Sequence, residues 1–133
     1  MLDTHKIIQD AEGFIIVTPE YNSTLPPALT NILDYFPLTS YRHKPASIAS
    51  YSTGAFGVCR ASTVARPFLS ELGLVTLPSV LTIPNITGAG IDESGEIAGN
   101  ERVEKNSNKL CKELIWYVET IRAGRERTGG NPN

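Results

Sequence analysis

The sequence predicts an α/β domain built on parallel strands, and three observations lead there. The run Gly13-Phe-Ile-Ile-Val-Thr18 is continuously apolar with no polar alternation, as in strands covered by helices on both faces. Strand-like segments then alternate with helix-period segments three times, the order of parallel crossover units. At 133 residues, 41% hydrophobic and 20% charged, the chain has the size and makeup of one globular unit with its own core. Ligands in such sheets sit beyond the carboxyl ends of the strands. Those ends are residues 18–22, residues 50–57 and the loop after Ile83.

The elements follow in order. Residues 3–11 read as a helix with Ile7, Ile8 and Ala11 apolar and Asp3 or Thr4 as cap. The first strand ends at Thr18-Pro-Glu-Tyr-Asn22, because Pro19 cannot donate to a ladder. Ser23 or Thr24 can cap the next helix, with Pro26 and Pro27 in its first turn and Leu25, Leu29, Ile32, Leu33 and Phe36 on one face. Pro37 ends it. After a polar loop, Pro45-Ala-Ser-Ile-Ala-Ser50 is a second strand of small residues. A helix from about Val58 to Leu72 points Ala61, Val64, Ala65, Phe68, Leu69 and Leu72 inward and stops at Gly73. Pro67 is expected to kink or divide it. The third strand falls near Ser79 to Ile83, and the glycine-rich stretch 85–100 reads as a surface loop. A long amphipathic helix then spans Glu101 to Arg122, with Val103, Leu110, Leu114, Val118 and Ile121 on one face and Gly124 at its end. The domain is expected to cover residues 1–124, with 125–133 a disordered tail.

The strand order has a gap. A first strand apolar on both faces calls for neighbours on both edges, and a short chain supplies few.

Composition excludes several function classes. A formal charge of −2 gives no pull toward nucleic acid or anionic membrane. No apolar run approaches the roughly 20 residues of a membrane span, and the first residues lack the pattern of a secretory signal. Cys59 and Cys111 sit in helical patterns and read as small buried thiols, and the expected compartment is the cytoplasm. His5 and His43 stand alone, so no metal site is expected. No Gly-x-Ser-x-Gly elbow, Walker loop or Gly-x-Gly-x-x-Gly fingerprint occurs.

Two loops remain. Thr18-Pro-Glu-Tyr-Asn22 offers backbone N–H groups, a ring and an amide beyond a buried strand. Ser52-Thr-Gly54-Ala-Phe56-Gly57 offers glycines for close approach of a flat ligand and leads into a helix N-terminus with its positive end. For either loop alone the plain reading, a turn with a half-buried aromatic or its glycines, is the better one.

Together they carry a resemblance. The run Gly13 to Asn22, then Leu25-Pro and Ala28-Leu-Thr-Asn31-Ile-Leu-Asp34-Tyr, resembles the NAD(P)H-dependent FMN reductase family. Lys44-Pro-Ala, Tyr51-Ser-Thr-Gly-Ala-Phe-Gly57 and Arg60-Ala follow in that family's order. The resemblance runs from about Ala11 to Ile83. It implies a flavodoxin-like three-layer fold, FMN as cofactor, NADPH or NADH as hydride donor, and a homodimer or homotetramer with the flavin near a subunit interface. By it, Pro19, Glu20, Tyr21 and Asn22 contact the isoalloxazine ring, and Ser52, Thr53, Gly54, Phe56 and Gly57 line its other side. The resemblance also implies that hydride passes to the flavin and then to a small-molecule acceptor such as a quinone, with no catalytic side chain needed.

Two departures go with it. Gly57-Val58 stands where the family usually pairs glycines, so Val58 places a side chain where the ring needs clearance. The family also opens with a strand and a phosphate-cradling loop, and nothing before Ala11 matches either. The expectation is therefore a flavodoxin-like domain lacking the first βαβ part, with three strands retained. Charge-assisted bonds to phosphate are worth about 1.5–3 kcal/mol each, so losing three would weaken FMN binding by several powers of ten. The second reading is a non-catalytic truncated isoform acting as a dimerisation or interaction module. The third is an unrelated α/β domain sharing the Pro-Glu-Tyr-Asn turn by chance.

Overall fold

The computed structural model describes residues 2–55, 58–96 and 98–132. Its elements are α1 (Leu2–Asp10), β1 (Phe14–Pro19), α2 (Pro27–Tyr35), β2 (Pro45–Tyr51), α3 (Cys59–Glu71), β3 (Val75–Ile83) and α4 (Glu101–Thr128), with single 3₁₀ turns at Leu38–Ser40 and Ile86–Gly88. The strands are all parallel in the order β1-β2-β3, so β2 is central, as the small buried residues of Pro45–Tyr51 require.

The two faces of the sheet are covered unequally. Ile16 lies beside Ile48, and both join Leu33, Phe36, Ala61, Ala65 and Leu69 in the larger core under α2 and α3. Full burial of side chains such as Ile48 and Leu69 contributes about 1.5–3 kcal/mol each. On the other face Val17 lies beside Ala49, and Ala49 beside Leu81. Val103 and Leu110 of α4 cover Ala49 and Leu81 but leave β1 bare. Ile15 and Val17 are therefore 45% and 64% exposed, contrary to the expectation that this strand is buried on both faces. The apolar run is a correct strand signal, but on this face α4 lies over β2 and β3 and does not reach Ile15 and Val17.

A bare apolar strand at a sheet edge invites self-association. Val17→Lys is expected to change stability by less than about 0.5 kcal/mol and to reduce self-association. Urea denaturation and sedimentation velocity measure the two effects.

Several element boundaries differ from the sequence expectations. β3 begins at Val75, because its register against β2 shifts between Ala46 and Ile48 and the resulting bulge admits Pro78. The Ser79 amide within that bulge donates to Glu113 Oε2 at 3.2 Å. α3 runs unbroken through Pro67, whose ring is exposed, so the helix forfeits one bond without dividing. Val64 and Ile32, assigned to buried faces, are exposed. α4 continues past Gly124 to Thr128 and ends at Gly129, whose φ of 75° is left-handed. Arg125, in the stretch expected to be disordered, pairs with Glu12. Cys59 and Cys111 are exposed thiols, because each lies on the solvent side of its helix. His5 is no free surface group: it stacks on Phe36 and lies 3.1 Å from Ser40 Oγ. No helix among the described residues is long and apolar enough to cross a membrane.

Candidate functional site

The loop after β1 is a two-residue hairpin. Tyr21 and Thr24 exchange both backbone bonds at 2.9 Å, and Asn22 and Ser23 between them have φ of 49° and 65°. Asn tolerates that left-handed conformation, while Ser holds it at a cost of about 1–3 kcal/mol. With Ser23 and Thr24 committed to the turn, neither caps α2; Pro26 occupies the N-cap with no side-chain bond. The turn leaves the Tyr21 ring 58% exposed at the carboxyl end of the sheet.

The loop after β2 is drawn toward the one after β3. The Ser52 amide donates to Ile83 O at 3.1 Å and the Ile86 amide to Ser52 O at 2.9 Å. Ser52 Oγ accepts from the Gly54 amide at 3.1 Å, closing a small turn. A Cβ added at Gly54 would meet, among the described residues, only Ser52 Oγ at 3.7 Å, an ordinary contact. Among the described residues, then, nothing demands glycine here. Pro19, Glu20, Tyr21, Asn22, Ser52, Thr53 and Gly54 are thus gathered at one end of the sheet. Phe56 and Gly57, expected beside them, lie outside the described residues. Val58 is buried, so its side chain points into the protein and not toward a ring on the loop.

Glu20 is placed differently from the rest. Its side chain is only 4% exposed, and Oε1 lies 2.8 and 2.7 Å from Nε and Nη2 of Arg60. Oε2 accepts from the backbone amides of Arg60 and Ala61 at 3.2 and 3.3 Å. The carboxylate thus fills the N-terminus of α3, the position read from sequence as open to a ligand. Burial works to raise its pKa, but the Arg60 guanidinium and the Ala61 and Arg60 amides outweigh it and hold the carboxyl below its ordinary 4.5. With a depressed folded value, the contribution to stability is present above pH 4.5 and is lost as pH falls through that folded value.

A cavity of about 560 Å³ lies at the opposite end of the sheet, where His43, Val75 and Arg125 line it. It is remote from both loops. Among the described residues, no three His, Cys, Asp or Glu side chains gather as metal ligands.

The model of the NADPH-dependent FMN reductase family matches residues 1–88. The chain belongs to that family. The match takes in α1 as well as the motifs between Ala11 and Ile83 that carry the resemblance. The subunit CrdA of the NADH:(hydroxy)cinnamate reductase of Vibrio ruber is 30% identical over 118 residues, 86% of this chain and 58% of that one. A 2-hydroxy-1,4-benzoquinone reductase from a Burkholderia species is 32% identical over 82% of this chain and 62% of its own length. The chain thus spans about three-fifths of these relatives. An oxidoreductase from Corynebacterium diphtheriae superposes with a TM-score of 0.73 at 14% identity, covering 90% of this chain and 62% of that structure. The flavoenzyme FerB from Paracoccus denitrificans gives 0.69 at 23%, covering 92% of this chain and 67% of that one. The fold class is accordingly α/β and flavodoxin-like.

Sequence reasoning placed Arg60 in a motif but gave it no role, and took Glu20 for a ligand contact. A signal was available: Val58, at the N-cap of α3, has no side chain able to cap, so a partner had to come from elsewhere.

Proposed function

We propose that this chain forms the ring-holding part of an FMN-dependent NAD(P)H oxidoreductase that reduces a quinone or similar small acceptor. The observation that carries the reading is Gly54, whose Cβ position meets only Ser52 Oγ among the described residues, at the same end of the sheet as the exposed Tyr21 turn, in a chain of the FMN reductase family. Relatives named for quinone and azo reduction, an Escherichia coli quinone reductase and a Bacillus NADPH azoreductase, support the acceptor class.

The described residues of the two loops are of the kinds that would hold the ring of the cofactor. Pro19, Tyr21 and Asn22 would border it on one side, and Ser52, Thr53 and Gly54 on the other. Glu20 would contribute its backbone carbonyl alone, because its carboxylate is engaged by α3 and its N–H by Tyr51 O. The same engagement closes the α3 N-terminus to a phosphate. When bound, FMN supplies the hydride chemistry between nicotinamide and acceptor, which requires no acid or base from the protein. The protein's part is to hold the ring flat between two loops, present backbone dipoles to its polar edge and keep Tyr21 against its face. Assembly as a homodimer or homotetramer belongs to the same reading.

The test is a visible spectrum of the purified chain after FMN is added and the unbound fraction removed. Retained yellow colour, and NADPH oxidation with benzoquinone as acceptor, are the expected results. Tyr21→Ala is expected to weaken FMN binding by roughly tenfold, the scale of about 1–3 kcal/mol for one ring stacked on an aromatic. A folded chain that retains no FMN would refute the proposal.

A further inference from the structure

An α-helix leaves its first amides without partners, and a Ser, Thr, Asp or Asn at the N-cap normally takes one. The N-cap of α3 is Val58, which has no such group. The amides of Arg60 and Ala61 are instead taken by Glu20, from 40 and 41 residues away. The same residue donates its own backbone N–H to Tyr51 O at 2.9 Å. Tyr51 is the last residue of β2, and Arg60 and Ala61 lie in the first turn of α3. One residue of the first ligand loop therefore grips both ends of the second. The bond from Ser50 Oγ to Val58 O, 2.9 Å and buried, closes the base of the same loop.

We infer that Glu20 is the positioning residue of the two-loop site, setting the start of α3 against the end of β2 and the place of residues 52–55 relative to the Tyr21 turn. Arg60 neutralises the carboxylate, which would otherwise be an unpaired charge in a buried position. A local cap at position 58 would satisfy the amides equally well. It would not make the geometry of the second loop depend on the first. Glu20 makes the start of α3 and the seating of the Pro19 to Asn22 turn a single event, so both walls of the site form together.

This inference rests on the proposed ring site for its consequence, but its geometry can be read without a ligand. The experiment compares the wild-type chain, Glu20→Ala and Glu20→Gln by amide exchange, by backbone chemical shifts of residues 52–55 and by FMN titration. Glu20→Ala is expected to speed exchange of the Arg60 and Ala61 amides at least roughly tenfold, shift residues 52–55 and weaken FMN binding by roughly tenfold or more. Glu20→Gln, whose amide oxygen can still accept from the helix, is expected to recover much of each effect. Faster exchange with unmoved resonances at 52–55 and unchanged FMN affinity would overturn the positioning role and leave only a cap. Unchanged exchange would overturn the inference outright. If the wild-type chain binds no FMN while exchange and shifts respond as stated, the inference stands and the proposed function falls. Should Glu20→Ala fail to fold, Arg60→Met decides. It removes the neutralising partner alone and is expected to move residues 52–55 in the same direction, and no movement would overturn the inference.

Discussion

Lys44→Ala is expected to destabilise the chain by about 3 kcal/mol, because the substitution removes both bonds that tie the last turn of α1 to the start of β2. Lys44 is 7% exposed, and its ammonium donates to Ile8 O at 3.0 Å and Gln9 O at 2.7 Å, the last carbonyls of α1. It also lies 5.6 Å from the centre of the Phe14 ring. Hydrogen bonds from a charged donor are worth about 1.5–3 kcal/mol each, and the burial of the ammonium offsets part of the pair. Lys44→Met, which keeps the apolar stem and abandons only the charge, is therefore expected to cost less, about 1–2 kcal/mol. Chemical denaturation at neutral pH measures both.

The pH dependence separates these terms. Burial first, then Arg125, lowers the pKa of Lys44 from its ordinary 10.5, against Glu12 and Asp10, which act to raise it. A lysine with a lowered folded value binds fewer protons folded than unfolded. Its penalty is full below the folded value and is relieved as pH rises from there to 10.5. Tyr41 acts oppositely, since burial and Asp34 raise its pKa above 10.0. Both chains carry Tyr41, so the difference between wild type and Lys44→Met isolates the lysine. That difference is expected to grow in favour of the wild type across the window.

What the sequence revealed of the fold depended on whether the cause was local. Gly73 was legible as the end of α3 because a left-handed C-terminal glycine is a local requirement, met here at φ +88°. Gly124 gave the same signal and misled. Its helix continues, with Arg125 meeting Glu12, 113 residues away, and the stop is Gly129. Burial of β1 was misread for a similar reason. An apolar run declares a strand, but which face is covered depends on where α4 crosses, and α4 follows β3. The exposed thiols show the limit of periodicity, since a helical pattern assigns Cys59 and Cys111 to a helix without fixing the angle at which that helix meets the sheet.

The site divided in the same way. Asn22, Tyr21 and Gly54 announced themselves as turn residues at strand ends, where the topology of a parallel sheet directs ligands. Glu20 did not, because a carboxylate beside an exposed turn looks identical whether it faces a ligand or a helix forty residues on. Only the unfilled cap at Val58 pointed to the second, and that is visible once the start of α3 is known.

Gly54→Val is expected to leave stability within about 0.5 kcal/mol while reducing FMN affinity by roughly a hundredfold, about 2.7 kcal/mol. The contrast is with Gly73, where the fold itself forbids a side chain: a Cβ there would lie 2.7 Å from Arg42 Cγ and 3.1 Å from Arg42 Cα. At Gly54 the backbone is not left-handed, and a Cβ finds only Ser52 Oγ at 3.7 Å among the described residues. The Cβ of a valine there meets no clash among the described residues, and its methyl groups are expected to occupy the space above the loop. A flat ring held within van der Waals contact of that backbone would be lifted, losing both its stacking and its alignment with the loop amides. Denaturation midpoints and FMN titration of the same preparation test the two halves together. A variant that is stable and still binds FMN at wild-type affinity would place the ring elsewhere, and with it the assignment of residues 52–54 would fall. A variant that loses stability in step with affinity would mean that Gly54 serves the fold, and that the space above it carries no message about a ligand.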